Sequence, residues 1–228
     1  MKTNKKLLTL FYIVLATLGY TTVYAQPDNS FNRANIGDWV LFTVVKETTT
    51  VNTNGEKQTT KTYSELRQTI TKKTDAFFGV AKSQVTIDQT NVILRHVSAS
   101  GEVIATNETE ISTYVVDLSK SIDYERMFGV IGEGTGFPLI IGHEHGNKQI
   151  TLGSKSYDTF WAHNIMGFSP SAIKEIQGVS VNEMVKADVS LWLVDNVPLS
   201  GIVKFQFQVP GFGKTLEIKD FGTSKALK

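Results

Sequence analysis

The 228-residue chain has no cysteine, only five prolines and no excess of either charge: 23 basic residues stand against 22 acidic ones. The missing cysteines exclude disulfide bonds, thiolate metal sites, a cysteine nucleophile and lipid attachment through cysteine. The charge balance argues against the basic stripe with which a dedicated nucleic-acid binder neutralises phosphates, so no nucleic-acid partner is expected. Only one segment is continuously apolar. What remains, 41% hydrophobic and 20% charged, is a globular composition. The length suits one sheet-rich domain with a core of ordinary size.

The apolar segment lies at the start. Lys2, Lys5 and Lys6 precede a run from Leu7 to Leu18, and Val23-Tyr24-Ala25 places small residues before Gln26. This is the pattern of a secretory signal peptide over residues 1–25. The run falls short of the roughly 20 residues that span a bilayer and is interrupted by Thr9 and Thr17. Cleavage after Ala25 would leave a chain that does not span the membrane, in the periplasm or secreted, its oligomeric state open. It would remove three lysines and no acid, leaving 20 basic against 22 acidic residues, a net −2. Residues 26–35 read as a loose leader and 36–228 as a single β-rich domain.

Within that domain the dominant pattern is strand followed by turn. Trp39 to Val45 is rich in aromatic and β-branched residues and leads to Asn54-Gly55, the hairpin signal of a type I′ turn, whose central residues both need φ > 0. Residues 57–73 return with five threonines between Thr59 and Thr71, which fit a pleated surface better than a helix. Further strands are expected at 77–88, 91–97, 102–117, 149–152 and 157–165. Val185, Ala187, Val189, Leu191 and Leu193 then alternate with polar residues, as do Val203, Phe205, Phe207 and Val209, before Pro210-Gly211 turns the chain into 216–221. One short helix is expected at 169–177, where Ser169 caps, Pro170 opens and Gly178 ends it, and 121–128 is a second candidate. The fold class is therefore mainly β, an antiparallel curved sheet, half-barrel or barrel, with one or two short helices.

Seven of the 18 glycines fall between Gly129 and Gly153, the least strand-like stretch and the natural place for a functional loop. Its spacing is G-x-G-x-G with Pro138 following, which matches neither the dinucleotide fingerprint nor a P-loop. Phe137, Leu139, Ile140 and Ile141 would anchor this loop over an apolar surface and are the candidate ligand-binding residues, as an apolar lid. His143-Glu144-His145 is the densest group of metal-ligand types. In a strand the two imidazoles would share a face, with His163 or His96 completing the site, whereas in a glycine-flanked turn they would simply be solvated. The zinc-protease H-E-x-x-H signature is absent. No G-x-S-x-G elbow occurs, no acid pair stands out for glycoside hydrolysis, and no cofactor motif is present, so no catalytic residue is assigned. Trp39, Trp161 and Trp192 suit stacking on sugars, but their strand positions favour packing.

One resemblance adds to this. The segment Leu191-Trp192-Leu193-Val194-Asp195-Asn196-Val197-Pro198-Leu199-Ser200-Gly201-Ile202-Val203-Lys204, followed by Leu216 to Gly222 and preceded by the 150–165 hairpin, resembles the C-terminal part of many uncharacterised exported bacterial β-rich proteins. More distantly, an exported leader, a Gly37-Asp38-Trp39 strand start, long amphipathic strands and a connecting helix are similar to the half-barrel of lipoprotein carriers such as LolA, LolB and the mycobacterial LppX group. That resemblance implies an acyl chain or lipoprotein lipid held against a curved sheet. The residues alone allow a structural or interaction module of the cell envelope equally well, and less readily a metal-binding protein through His143 and His145.

Overall fold

The computed structural model of the chain describes residues 30–74, 83–118, 127–128, 139–168 and 184–224, with backbone only for Ser30, Asn32, Leu139 and Ile140. After a one-turn helix α1 (Ser30–Arg33) come nine strands: β1 (Trp39–Val51), β2 (Lys57–Thr74), β3 (Gln84–Val97), β4 (Val103–Asp117), β5 (Leu139–Leu152), β6 (Lys155–Phe168), β7 (Val185–Leu193), β8 (Ile202–Val209) and β9 (Phe212–Gly222). All pair antiparallel in one curved sheet that is not closed, in the order β4-β3-β2-β1-β9-β8-β7-β6-β5. The expected mainly β class therefore holds, with almost no helix among the described residues. The expected helix at 169–177 lies outside them, as does all of 121–128 except Met127 and Phe128.

The order is an up-and-down meander joined through its ends. β1 pairs with β9, so β4 and β5, adjacent in sequence, become the two opposite edges. Curvature is strong on the β5 side: Cα atoms of β5 approach those of β9 to within 8 Å. Four strand spacings in a flat sheet would hold them roughly 19 Å apart.

Alternation fixes which face is buried. In β1 Val40, Phe42 and Val44 are buried, and in β7 so are Val185, Ala187, Val189, Leu191 and Leu193. Register lines these up across strands: Val44, Leu216, Phe205, Leu191 and Ala162 form one buried row over β1, β9, β8, β7 and β6. Each such side chain contributes roughly 1.5–3 kcal/mol when fully buried, so this row is a main source of the sheet's stability.

Several local expectations change. Gly55 alone has positive φ, at 82°, so Asn54-Gly55 does not form a type I′ turn. Instead the Gly55 N–H donates to Asn52 C=O at 3.0 Å and the Asn52 N–H to Glu56 C=O at 2.9 Å, a turn followed by a left-handed glycine bulge. The Asn52 side-chain oxygen accepts from the N–H groups of Asn54 and Glu56, which favours this longer loop. The β3–β4 hairpin is closed in the same way by Ser98 and Gly101. The two strands expected at 77–88 and 91–97 join as β3, because cross-strand pairing with both β2 and β4 runs on through Asp88 to Asn91. The expected glycine-rich loop is a strand from Leu139 onward: Gly142 and Gly146 are carried within β5, paired to Ile165 and Trp161. Phe31, fully buried, packs into the core ahead of residue 36, where the sequence placed the start of the domain.

The two ends of the domain are tied at β1. The Asp38 carboxylate, 2% exposed, accepts from the Asn35 N–H (2.8 Å), the Ser224 N–H (2.7 Å) and the Ser224 hydroxyl (3.1 Å). Trp39 lies against Gly222, where an added Cβ would come within 2.5 Å of the indole nitrogen, so only glycine fits beneath the ring. The Gly-Asp-Trp and Phe-Gly segments, far apart in sequence, thus form one contact.

Candidate ligand-binding face

The chain between β4 and β5 must pass from one edge of the sheet to the other. Its described pair, Met127 and Phe128, lies on the buried face. The Phe128 ring meets Phe42 of β1 edge-on at 5.9 Å and Phe205 of β8 at 4.8 Å. Its carbonyl accepts from Lys214 Nζ of β9 at 2.6 Å, and the Met127 carbonyl accepts from Gln89 Nε2 of β3 at 3.0 Å. Two consecutive residues therefore touch side chains from β3 to β8, bridging the apolar face. Edge-on aromatic contacts add roughly 0.5–1.5 kcal/mol each beyond area burial.

The face is not uniform. On the β5–β9 side and in β1 it is mostly apolar, with Asn164, Lys214 and Lys46 as exceptions. Across β2, β3 and β4 the same face carries a polar patch beside the buried Leu66, Ile70 and Ile87: register aligns Val40 with Gln68, Gln89 and Ser112, and next to it Phe42 with Leu66, Asn91 and Glu110. Gln89 is fully used, donating to Met127 and accepting from the Ser112 hydroxyl at 3.3 Å. Gln68, completely buried, has no partner for either amide atom among the described residues, and Asn91 Oδ1 has none either. The other end of Asn91 donates to Glu110 at 3.0 Å. A buried polar atom left unpaired costs roughly 1–3 kcal/mol, so three of them on one patch call for a partner.

Of the residues expected to form an apolar lid, Phe137 lies outside the described residues. Leu139, Ile140 and Ile141 open the edge strand β5 rather than a loop, because pairing to Gly167 and Met166 captures the first two. Ile141 is 47% exposed. His143 and His145 do share a face of β5, with ring centroids 5.0 Å apart and nearly parallel. Their pairing to the buried Asn164 and Ala162 places them at the margin of the buried face. His143 Nδ1 donates to Asn164 Oδ1 at 2.6 Å, which leaves Nε2 as its available lone pair. Neither expected third ligand joins them. His163 pairs with Glu144 on the opposite face and contacts Asp188 at 3.3 Å, and His96 sits on β3 against the Thr62 hydroxyl at 2.9 Å. No group of three metal-ligand residues forms among the described residues.

The tryptophans lie on the face opposite the Val44–Ala162 row, each beside a cation: Trp39 under Arg67 at 4.2 Å, Trp161 under Lys148 at 5.0 Å and Trp192 under Lys204 at 5.5 Å; as their strand positions suggested, Trp192 is nonetheless buried in the core cluster and Trp161 packs against it. Their alternation with buried neighbours was legible, but the capping cations come from neighbouring strands. On the same outer face Lys61 is held above the usual lysine range by its hydrogen bond to Glu47 and that carboxylate's charge. Sequence reading passed over Gln68 and Asn91. The signal that marks them is a polar residue at an in-facing position of an alternating strand, between Leu66 and Ile70 for Gln68.

No family model and no curated protein matches the chain. Among solved structures, the crystal structure of LprF from Mycobacterium bovis aligns over 88% of this chain and 92% of its own, with 11% identity and a TM-score of 0.30. At that identity and TM-score the likeness is too slight to assign fold detail or function.

Proposed function

We propose that this protein is an exported, non-enzymatic carrier that holds an acyl chain or lipoprotein lipid against the apolar face of its open sheet. The observation that supports this is the open architecture itself. The apolar face of β1 and β6–β9 belongs to a sheet whose two edges, β4 and β5, are not joined, and among the described residues Met127 and Phe128 bridge it and no second sheet covers it. Apolar clefts with a few convergent polar groups are the usual form of small-molecule sites. Export is read from the signal-peptide pattern of residues 1–25, which supports a working protein in the periplasm or outside the cell. Native mass spectrometry with lipid extraction on protein purified from the export compartment tests the reading. A retained lipid of defined mass is expected; protein reproducibly free of lipid, with full thermal stability, would overturn it.

A second reading, an interaction module of the cell envelope, is favoured by β4. This edge strand exposes Val103, Ile104, Ile111 and Val115, with Ile111 78% exposed. Long edge strands with exposed apolar side chains are templates for pairing with another chain. Chemical cross-linking in cells separates the readings: a partner captured from β4 and lost in Ile111→Lys, with no lipid bound, supports the module.

A further inference from the structure

Gln68, Gln89 and Asn91 form a polar patch on a mostly apolar buried face. Gln68 and Gln89 stand directly opposite each other, and Asn91 is the diagonal neighbour of Gln68 on the same face, ~7–8 Å away by strand geometry. Gln89 has a structural task, because its two ends hold Met127 and Ser112. Gln68 has none: it is fully buried, and both its donor and its acceptor are without a partner among the described residues. Asn91 has one end fixed by Glu110, so it presents its oxygen. Together the two side chains offer one NH₂ group, with two N–H donors, and two carbonyl acceptors.

A buried amide accepts only a matching ligand group, since an unmet donor or acceptor in low dielectric is penalised. Gln68 and Asn91 are neutral, and the carboxylate behind Asn91 repels an anion. From this we infer that the carrier, if the preceding reading holds, recognises the head of its ligand at Gln68 and Asn91. That head is neutral and carries a carbonyl acceptor beside an N–H or O–H donor, as in an acylamide or an acylglycerol. A free fatty-acid carboxylate fits poorly: it can accept from the Gln68 NH₂, but it brings no donor for the two carbonyl oxygens, and its charge faces the Glu110 carboxylate behind Asn91. A simple ester supplies an acceptor and no donor.

Isothermal titration of the purified protein with four dodecyl probes tests this: N-methyldodecanamide, 1-monododecanoylglycerol, methyl dodecanoate and dodecanoate. The amide or the glyceride, whichever source is the natural one, is expected to bind about tenfold more tightly than the methyl ester, equivalent to ~1.4 kcal/mol, with dodecanoate weakest. Gln68→Leu should reduce the preference over the methyl ester to within about twofold, the residue of a site with its donor and one acceptor removed. Asn91→Leu gives a second reading of the same preference if Gln68→Leu does not fold. Equal affinity for all four probes, or a preference that survives both variants, overturns the head-group site while leaving the carrier standing. Binding of none of the four overturns both.

Discussion

Replacing Asp38 separates a clamp between chain ends from an incidental buried acid. In Asp38→Ala three hydrogen bonds are lost, and the main-chain N–H groups of Asn35 and Ser224 lose their acceptor. Hydrogen bonds to a charged group are worth roughly 1.5–3 kcal/mol each. They share one carboxylate and so do not add, which sets the expected loss at about 3 kcal/mol. For a domain of this size each kcal/mol moves the melting temperature by about 2–4 °C, so a fall of about 6–12 °C is expected. Asp38→Asn is the sharper variant. It keeps one acceptor oxygen and turns an NH₂ donor towards one of the two N–H groups, and about half the effect should remain. Thermal unfolding followed by circular dichroism at neutral pH reads both. A fall below about 2 °C in Asp38→Ala, or wild-type behaviour of Asp38→Asn, would refute the idea that this carboxylate joins the start of β1 to the end of β9.

Three further outcomes are expected. Phe128→Ala removes the ring that meets Phe42 and Phe205 and should cost about 3–5 kcal/mol, read by urea unfolding; a cost near zero would mean the bridge across the apolar face is not held there. N-terminal sequencing of the exported protein should begin at Gln26, and a retained Met1 would show that residues 1–25 are not removed. Zinc or copper titration should give no saturable heat at micromolar protein, because His143 and His145 supply two imidazoles and no third ligand joins them among the described residues. Saturable heat abolished in the His143→Ala, His145→Ala double variant would restore the metal site.

Much of the fold was legible because alternation is a local property. The in-facing sets Val185 to Leu193 and Val203 to Val209 each follow from period-two spacing, and both are buried as that spacing requires. Glycine content misled at β5: Gly142 and Gly146 weaken strand propensity, yet pairing with β6 supplies the hydrogen bonds that hold Leu139 to Leu152 extended. Phe31 was hidden in a polar leader, since burial of a single aromatic leaves no periodic trace. Of the candidate site, the shared face of His143 and His145 was readable from their spacing. Its failure to gather His163 was not, because the side on which His163 points depends on its register with Glu144.

The sequence by itself determined the strand-rich class, the absence of disulfides and the side of most strands that faces inward, all consequences of composition and nearest-neighbour spacing. Only the tertiary structure decided that β1 joins β9, that β4 and β5 become the free edges, and that Gln68, Gln89 and Asn91 come together beneath an apolar bridge. The first two depend on pairing between strands distant in the chain, and the third on the register of β2 against β3 and on where the segment carrying Met127 crosses them. A shift of one residue in that register would turn the same polar side chains out to water.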